Sequence, residues 1–475
     1  TNTICNITIN RDTACTAQFS GQQAQSYTLT VSISGHGTVT SNPSGINCSN
    51  NGGNCIAQYS SGTTVTLTAT PAQGYKFSSW GGSCSGSSTT CQLVMNADRS
   101  VTAIFSLIVE PLTYDTTFGN NGWFNTSYGT ITHFTSIRDV DKGYLVSGTD
   151  GVCLVDYTGQ LDPSFGNNGC VSSDLTHDFA AEPAGSGYII AGLNNNSELI
   201  LRLHNTSGGL VKEVDAGPVD ANFVSLRSTS DGSHVVFAGG STVVITDTSL
   251  STVKAVKLVD AWLGTDGEGK IINGIAGAII DSNRILAYGR KSGQGFVVAL
   301  DFNGNVDTTW ANNGWFVENT HYNNSFISAL KLPDGRLLFG GHYYTSASAG
   351  SKNTAVFVLS ADGTLQTVYS LEDGFLVTSI YTMVLHSNYV IATGSIGDLP
   401  PHKFSWSQYS PKMYKFDYNT GTVTKSIVLS RPGNYTQYGA DMIIDNTGKL
   451  VIAGSESNGY NGYSNFRAIV VRLNP

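Results

Sequence analysis

Seven times between residues 143 and 454 the chain writes an apolar run that ends in glycine. The runs are GYLVSG to Gly148, GYIIAG to Gly192, HVVFAGG to Gly240, RILAYG to Gly289, RLLFGG to Gly341, YVIATG to Gly394 and KLVIAG to Gly454. The steps between those glycines are 44, 48, 49, 52, 53 and 60 residues. Turns such as LPDGR (332–336) and DNTGK (445–449) precede the runs; a second apolar strand and another turn follow, as in CLVDYTG or FVVALDFNG. A further strand lies upstream, as in SFISALKL (325–332). No segment keeps the 3.6-residue period of an amphipathic helix over three turns. Four strands recurring at this spacing predict the blades of a β-propeller.

The seventh repeat reaches Pro475 after its third strand, while PLTYDTTFGNNGWF (111–124) has the form of an outer strand without an inner one. Residues 107–475 are therefore expected to form a seven-bladed propeller, with 111–124 pairing beside Ile469–Leu473 and closing the ring. Closure removes the free edges that invite aggregation. The segment recurs as LDPSFGNNGCV (161–171) and VDTTWANNGWFV (306–317). With the glycine-ended strand that follows it, this motif resembles the delta-60 repeat of secreted bacterial propellers. The resemblance implies the fold and names no catalytic set. The glycines and asparagines of FGNNGW are expected to serve turns of positive φ.

Residues 21–106 read as a separate small β-module. YTLTVSIS and TTVTLTATP alternate, and GYKFSSWGG supplies Tyr75, Phe77 and Trp80 as core anchors. CQLVM and SVTAIF are expected to pair as a closing hairpin over NADR. This run of motifs resembles the divergent InlB B-repeat, a module found in tandem on bacterial surface proteins, and implies a spacer or stalk.

The eight cysteines pair by proximity. Cys48 with Cys55 and Cys84 with Cys91 bracket polar loops, Cys5 and Cys15 flank Asn10, and Cys153 and Cys170 flank the turn at 157–160. Even number and short separation read as disulfides, hence an oxidising, extracellular or cell-surface location. The C-x6-C spacing lacks the C-x2-C or His pairs that zinc asks for. Charged residues are 12% of the chain, about half the usual share, and the net charge is −9 with no Lys/Arg cluster. Nucleic acid and anionic membranes are poor partners for such a surface, and no apolar run approaches the length of a membrane span.

Residues 3–20 repeat residues 89–106 at an offset of 86, Cys5 on Cys91, Asp12 on Asp98 and Phe19 on Phe105. Residues 1–20 thus read as the closing hairpin of a truncated module. Three explanations stand: further repeats lie upstream, a protease has trimmed the chain, or strands from another chain complete the fold. Ile4, Ile7, Ile9 and Phe19 would otherwise present an apolar face to water, so an assembly contact with another protein chain or a copy of this one is expected there.

No G-x-S-x-G, H-E-x-x-H, Walker A or C-x-x-C-H motif occurs, and neither metal nor cofactor is expected. The loops after the repeat glycines in the last three repeats are rich in Tyr, Ser, Gly and Asn, the mixture that adaptable binding loops use. The first carries His342, Tyr343 and Tyr344; the second Phe404, Trp406 and Tyr409; the third Tyr460 and Tyr463. The connection THYNNSF adds His321 and Tyr322 on the same rim, a candidate surface for a glycan or other surface ligand. The sequence reads as a non-enzymatic extracellular structural or adhesive protein, in its specific form a subunit of a surface filament or pilus. The alternative is a secreted carbohydrate-binding protein or polysaccharide-acting enzyme using the rim.

Overall fold

All regular structure among the described residues is β-strand. The computed structural model describes residues 25–50, 52–72, 75–107, 112–126, 131, 133–148, 150–219, 225–229, 233–258, 274–281, 283–345, 352–371, 377–396, 412–428, 436–457 and 466–475. The chain divides into two units, Thr1–Ile108 and Val109–Pro475.

In the first unit the period-2 alternation of the sequence sorts side chains onto two sheets. One has the order Ile56–Ser60, Ser26–Ser34, Arg99–Leu107, Tyr75–Gly82; the other runs Gly52–Asn54, Asn47–Ser49, Gly37–Asn42, Thr64–Pro71, Thr90–Val94. Leu29, Val31, Val101, Ala103 and Phe105 are buried on the first sheet, and Val39, Val65, Leu67, Ala69 and Leu93 on the second. Tyr75 and Trp80 are buried, and the Trp80 indole N–H donates to the Ser88 carbonyl at 2.8 Å. Cys48–Cys55 and Cys84–Cys91 are disulfides.

The expected closing hairpin does not form. Thr90–Val94 pairs with Thr64–Pro71, whereas Arg99–Leu107 lies between Ser26–Ser34 and Tyr75–Gly82 in the other sheet. The turn between them crosses from sheet to sheet. Asp98 holds the crossing by accepting the Thr28 N–H at 2.7 Å, and Arg99 donates to the Asn96 side chain.

The second unit contains, among the described residues, seven antiparallel sheets. Their first strands are Phe134–Val140, Thr176–Ala184, Ser225–Ser228, Gly274–Asp281, Tyr322–Lys331, Val377–His386 and Thr436–Ile444. Each first strand packs beside the next, and the seventh packs beside the first, which is the arrangement of a β-propeller. In the seventh sheet Trp123–Thr126 pairs antiparallel with Phe466–Asn474, Trp123 opposite Val471 and Thr126 opposite Ala468. Apolar side chains fill the space between neighbours: Ile189, Leu201, Val235 and Phe237 between the second and third sheets, Val146, Val155, Val451 and Val470 between the first and seventh.

Five of the seven repeat glycines lie inside their strands, whereas Gly143–Gly148 ends at its glycine and His234–Gly239 stops before Gly240. Arg284–Lys291, Leu337–Tyr344 and Leu450–Ser457 all run past theirs. Five of the repeat glycines face a first strand where the register slips: Phe134 opposite Gly148, Ile275 opposite Gly289, Phe326 opposite Gly341, Ile380 opposite Gly394 and Gly439 opposite Gly454. A Cβ on Gly148, Gly289 or Gly341 would meet the carbonyl oxygen of His133, Gly274 or Ser325 at 1.7, 2.0 and 1.8 Å. The glycine makes room for the bulged neighbour.

The FGNNG segments join one sheet to the next. Phe118, Phe165 and Trp310 are buried, and the N–H of the following residue donates into the outer turn of the succeeding sheet. These bonds are Gly119 to Thr158 at 2.7 Å, Gly166 to Ser207 at 2.8 Å and Ala311 to Asp362 at 2.9 Å. Asn121, Asn168 and Asn313 have φ of 54, 52 and 52°, the turn role expected of them. Cys153 and Cys170 are cross-strand partners joined as a disulfide. Cys5 and Cys15 lie outside the described residues.

Two buried ionic groups link distant parts of the second unit. Arg138 pairs with Glu182 of the second sheet and with Asp441 of the seventh at 2.9 Å. Arg472 pairs with Asp115 at 2.9 Å and donates to the Tyr157 carbonyl at 2.7 Å, with its guanidinium 4.8 Å from the Phe118 ring. Burial alone would raise the Asp115 carboxyl, but the Thr117 hydrogen bonds and the charges of Arg472 and Lys449 outweigh it and lower its pKa.

Two outcomes follow. Gly341→Ala forces a Cβ against backbone and is expected to cost about 3 kcal/mol, read as a lower urea midpoint at unchanged m-value. The second concerns acid. The lowered pKa of Asp115 makes its contribution to stability complete above the ordinary carboxyl value of about 4 and lost as pH falls through the folded value. Asp115→Asn is expected to be less stable at neutral pH yet to lose stability less steeply below about pH 4, measured by denaturation across that range.

Candidate functional site

The rim segment between Trp315–Val317 and Tyr322–Lys331 is organised around two side chains that water does not reach. Glu318 is 1% exposed and Asn324 0%. The Glu318 carboxylate accepts the N–H groups of Thr320 at 3.0 Å and His321 at 3.2 Å, the Thr320 hydroxyl, and the Asn324 amide at 2.7 Å. Asn324 also donates to the backbone carbonyls of Glu318 and His321, at 3.2 and 2.9 Å, and accepts the Gly295 N–H. The Glu318 N–H returns to the Gly295 carbonyl at 2.9 Å. The segment is thereby fastened to the Gln294–Asp301 strand of the preceding sheet. Both oxygens of Glu318 are occupied by donors from its own segment, which suits a positioning group and not an acid or base open to substrate.

The aromatic residues hang on this frame. His321 has its ring centroid 4.5 Å from that of Tyr343 and 6.0 Å from that of Phe357. Tyr322 is 56% exposed and sits opposite Tyr344 across the strand pair. Ser325 sits opposite His342, with the hydroxyl 3.1 Å from Nδ1, and the His342 and Tyr344 rings are 5.9 Å apart. His342 is buried, so the surface on offer is that of Tyr322, His321, Tyr343 and Tyr344. Such a patch can stack on a flat apolar face and hydrogen-bond its edges.

Five of the ten rim candidates are therefore brought together. His342, Tyr343 and Tyr344 correct the sequence reading in one respect: they belong to the strand Leu337–Tyr344 and pair with Thr354, Asn353 and Lys352. The strand persists past its glycine, so less of the rim is loop than the turn-rich composition suggested. Phe404, Trp406, Tyr409, Tyr460 and Tyr463 lie outside the described residues, as do Ile4, Ile7, Ile9 and Phe19.

Sequence reasoning missed Glu318, Asn324, Asn323 and Arg290. The first two look like ordinary polar loop residues, and only their burial marks them. Arg290 had a signal: LAYGRK is the repeat in which two cations follow the glycine. Its guanidinium donates to the side chain of Asn323, whose φ is 44°.

Residues 27–109 match the family model of the divergent InlB B-repeat domain. No curated protein matches the chain. Among solved structures, the WD40 domain of Neurospora crassa Pan2 is 12% identical over 76% of this chain and 98% of its own, with a TM-score of 0.44. The WD40 propeller of Doa1 is 9% identical over 74% and 97%, at 0.45. BamB from Moraxella catarrhalis is 12% identical over 85% and 93%, at 0.40. Likeness at this level bears on no functional argument. The module match and the disulfides fit an extracellular protein.

Asn324→Ala strips donors from Glu318 and leaves the Gly295 N–H without its acceptor. It is expected to cost about 1–3 kcal/mol in thermal unfolding and to broaden the His321 and Tyr343 ring signals in NMR spectra.

Proposed function

We propose that the protein is a non-enzymatic structural or adhesive component of an extracellular surface, a B-repeat stalk module carrying a seven-bladed propeller that displays a binding rim. The observation that carries this reading is the rim patch: an exposed Tyr322 among His321, Tyr343 and Tyr344, on a frame whose carboxylate is already engaged. Pairing of Trp123–Thr126 with Phe466–Asn474 supports closure of the ring by its N-terminal strand. The three junctions at the buried Phe118, Phe165 and Trp310 support kinship with delta-60 repeats.

The specific version is a filament or pilus subunit. Residues 3–20 copy a segment whose two strands serve different sheets, the second hydrogen-bonded on both of its edges. In this version the strands that complete such a segment and cover Ile4, Ile7, Ile9 and Phe19 come from another chain or a copy of this one and not from an upstream segment. Deleting residues 1–20 is expected to abolish assembly in sedimentation velocity while the propeller unfolds at its usual temperature. Assembly that survives the deletion removes the filament version.

The alternative, a secreted carbohydrate-binding protein or an enzyme acting on polysaccharide, is favoured by the same patch, because tyrosine faces suit sugar rings. Release of reducing ends from polysaccharide by the intact protein selects the enzyme; retention on glycan without turnover selects binding.

A further inference from the structure

We propose that the rim corner at Arg290 is a subsite for a carboxylate-bearing sugar, the acidic unit of a polysaccharide. This rests on the reading of the rim as a glycan-binding surface and names the class of sugar it takes.

Arg290 differs from five other arginines of the second unit. Arg138, Arg202, Arg284, Arg336 and Arg472 each have a carboxylate oxygen within 3.3 Å. Arg290 has, among the described residues, the neutral Asn323 side chain as its hydrogen-bond acceptor, and its Nε is shut off from solvent with nothing to accept its proton. A guanidinium carries five donors in a planar fork, and leaving one buried and unmet is costly. Burial lowers its pKa, with Tyr344 acting weakly the other way. Among the described residues the guanidinium has no counter-charge, and a carboxylate arriving at its terminal nitrogens supplies one together with paired hydrogen bonds.

In the sheet register Arg290 lies between Gly274 and Gly295, so neither neighbouring strand places a side chain beside it. Asn323, which accepts its hydrogen bond, follows the exposed Tyr322, and Tyr322 faces Tyr344. A pyranose ring against tyrosine with its carboxylate on the fork uses all of these groups at once. The chain's net charge of −9 disfavours general attraction of polyanions, so recognition rests on this local cation.

Affinity electrophoresis through gels containing polygalacturonate or alginate, and through the methyl-esterified form of the first, tests the assignment on the full chain. The wild type is expected to be retarded by at least one of the acidic polymers and less by the ester. Arg290→Met is expected to weaken acidic binding about tenfold, leave ester binding unchanged, and melt no lower than wild type. Arg290→Lys keeps the charge without the fork and falls between; it carries the test if the methionine variant does not fold. Tyr322→Ala weakens both. Unchanged acidic binding in the arginine variants, or equal wild-type binding to acid and ester, overturns the subsite while the glycan-binding rim stands. A wild type retarded by none of the polymers overturns the subsite and the glycan reading together.

Discussion

A carbonyl oxygen standing where a glycine has no side chain is the contact on which the second unit depends. Wherever His133, Gly274 or Ser325 points its oxygen at the repeat glycine, the first strand can bulge without leaving the sheet. A bulge strengthens local twist, and strongly twisted short sheets are what allow first strands to converge side by side in a ring. The same contact sets what the rim displays. Residues just past the glycine remain in strand, so Arg290 and His342–Tyr344 are held at fixed register positions and not on free loops.

The chain is poor in charge, and part of what it has is spent inside. Arg138 touches partners from the second and seventh sheets, and Arg472 ties Asp115 to the last strand. Buried ion pairs of this kind seldom add net stability over a well-packed apolar substitute, because desolvation consumes the attraction. They penalise wrong arrangements: a register slip or misordered sheet would strand a charge with no partner. In an architecture whose sheets share one apolar pattern, such discrimination between nearly equivalent neighbours is needed, and apolar contacts alone supply little of it.

The sequence made the strands legible because period-2 alternation and glycine punctuation are local signals. Cys48–Cys55, Cys84–Cys91 and Cys153–Cys170 were legible for the same reason, their partners being near in sequence. What it hid was the identity of pairing partners. Thr90–Val94 and Arg99–Leu107 look like a hairpin because a turn joins them, yet each finds its hydrogen bonds with strands distant in sequence. At the site, tyrosine-rich composition pointed to His321, Tyr322 and Tyr344. Glu318 and Asn324 stayed hidden, since burial is a property of the folded chain, while Arg290 was marked only by the paired cations of LAYGRK.

The parallel pairing of Ser26–Ser34 with Arg99–Leu107 has a mechanical meaning. Because the first and last of the module's strands run side by side in the same direction, the chain enters at one end and leaves at the other. Tension between those ends slides the two strands along each other. Six paired positions, from Leu29 with Arg99 to Ser34 with Ile104, share the load together and do not open one at a time. A module built this way resists being pulled apart by shear.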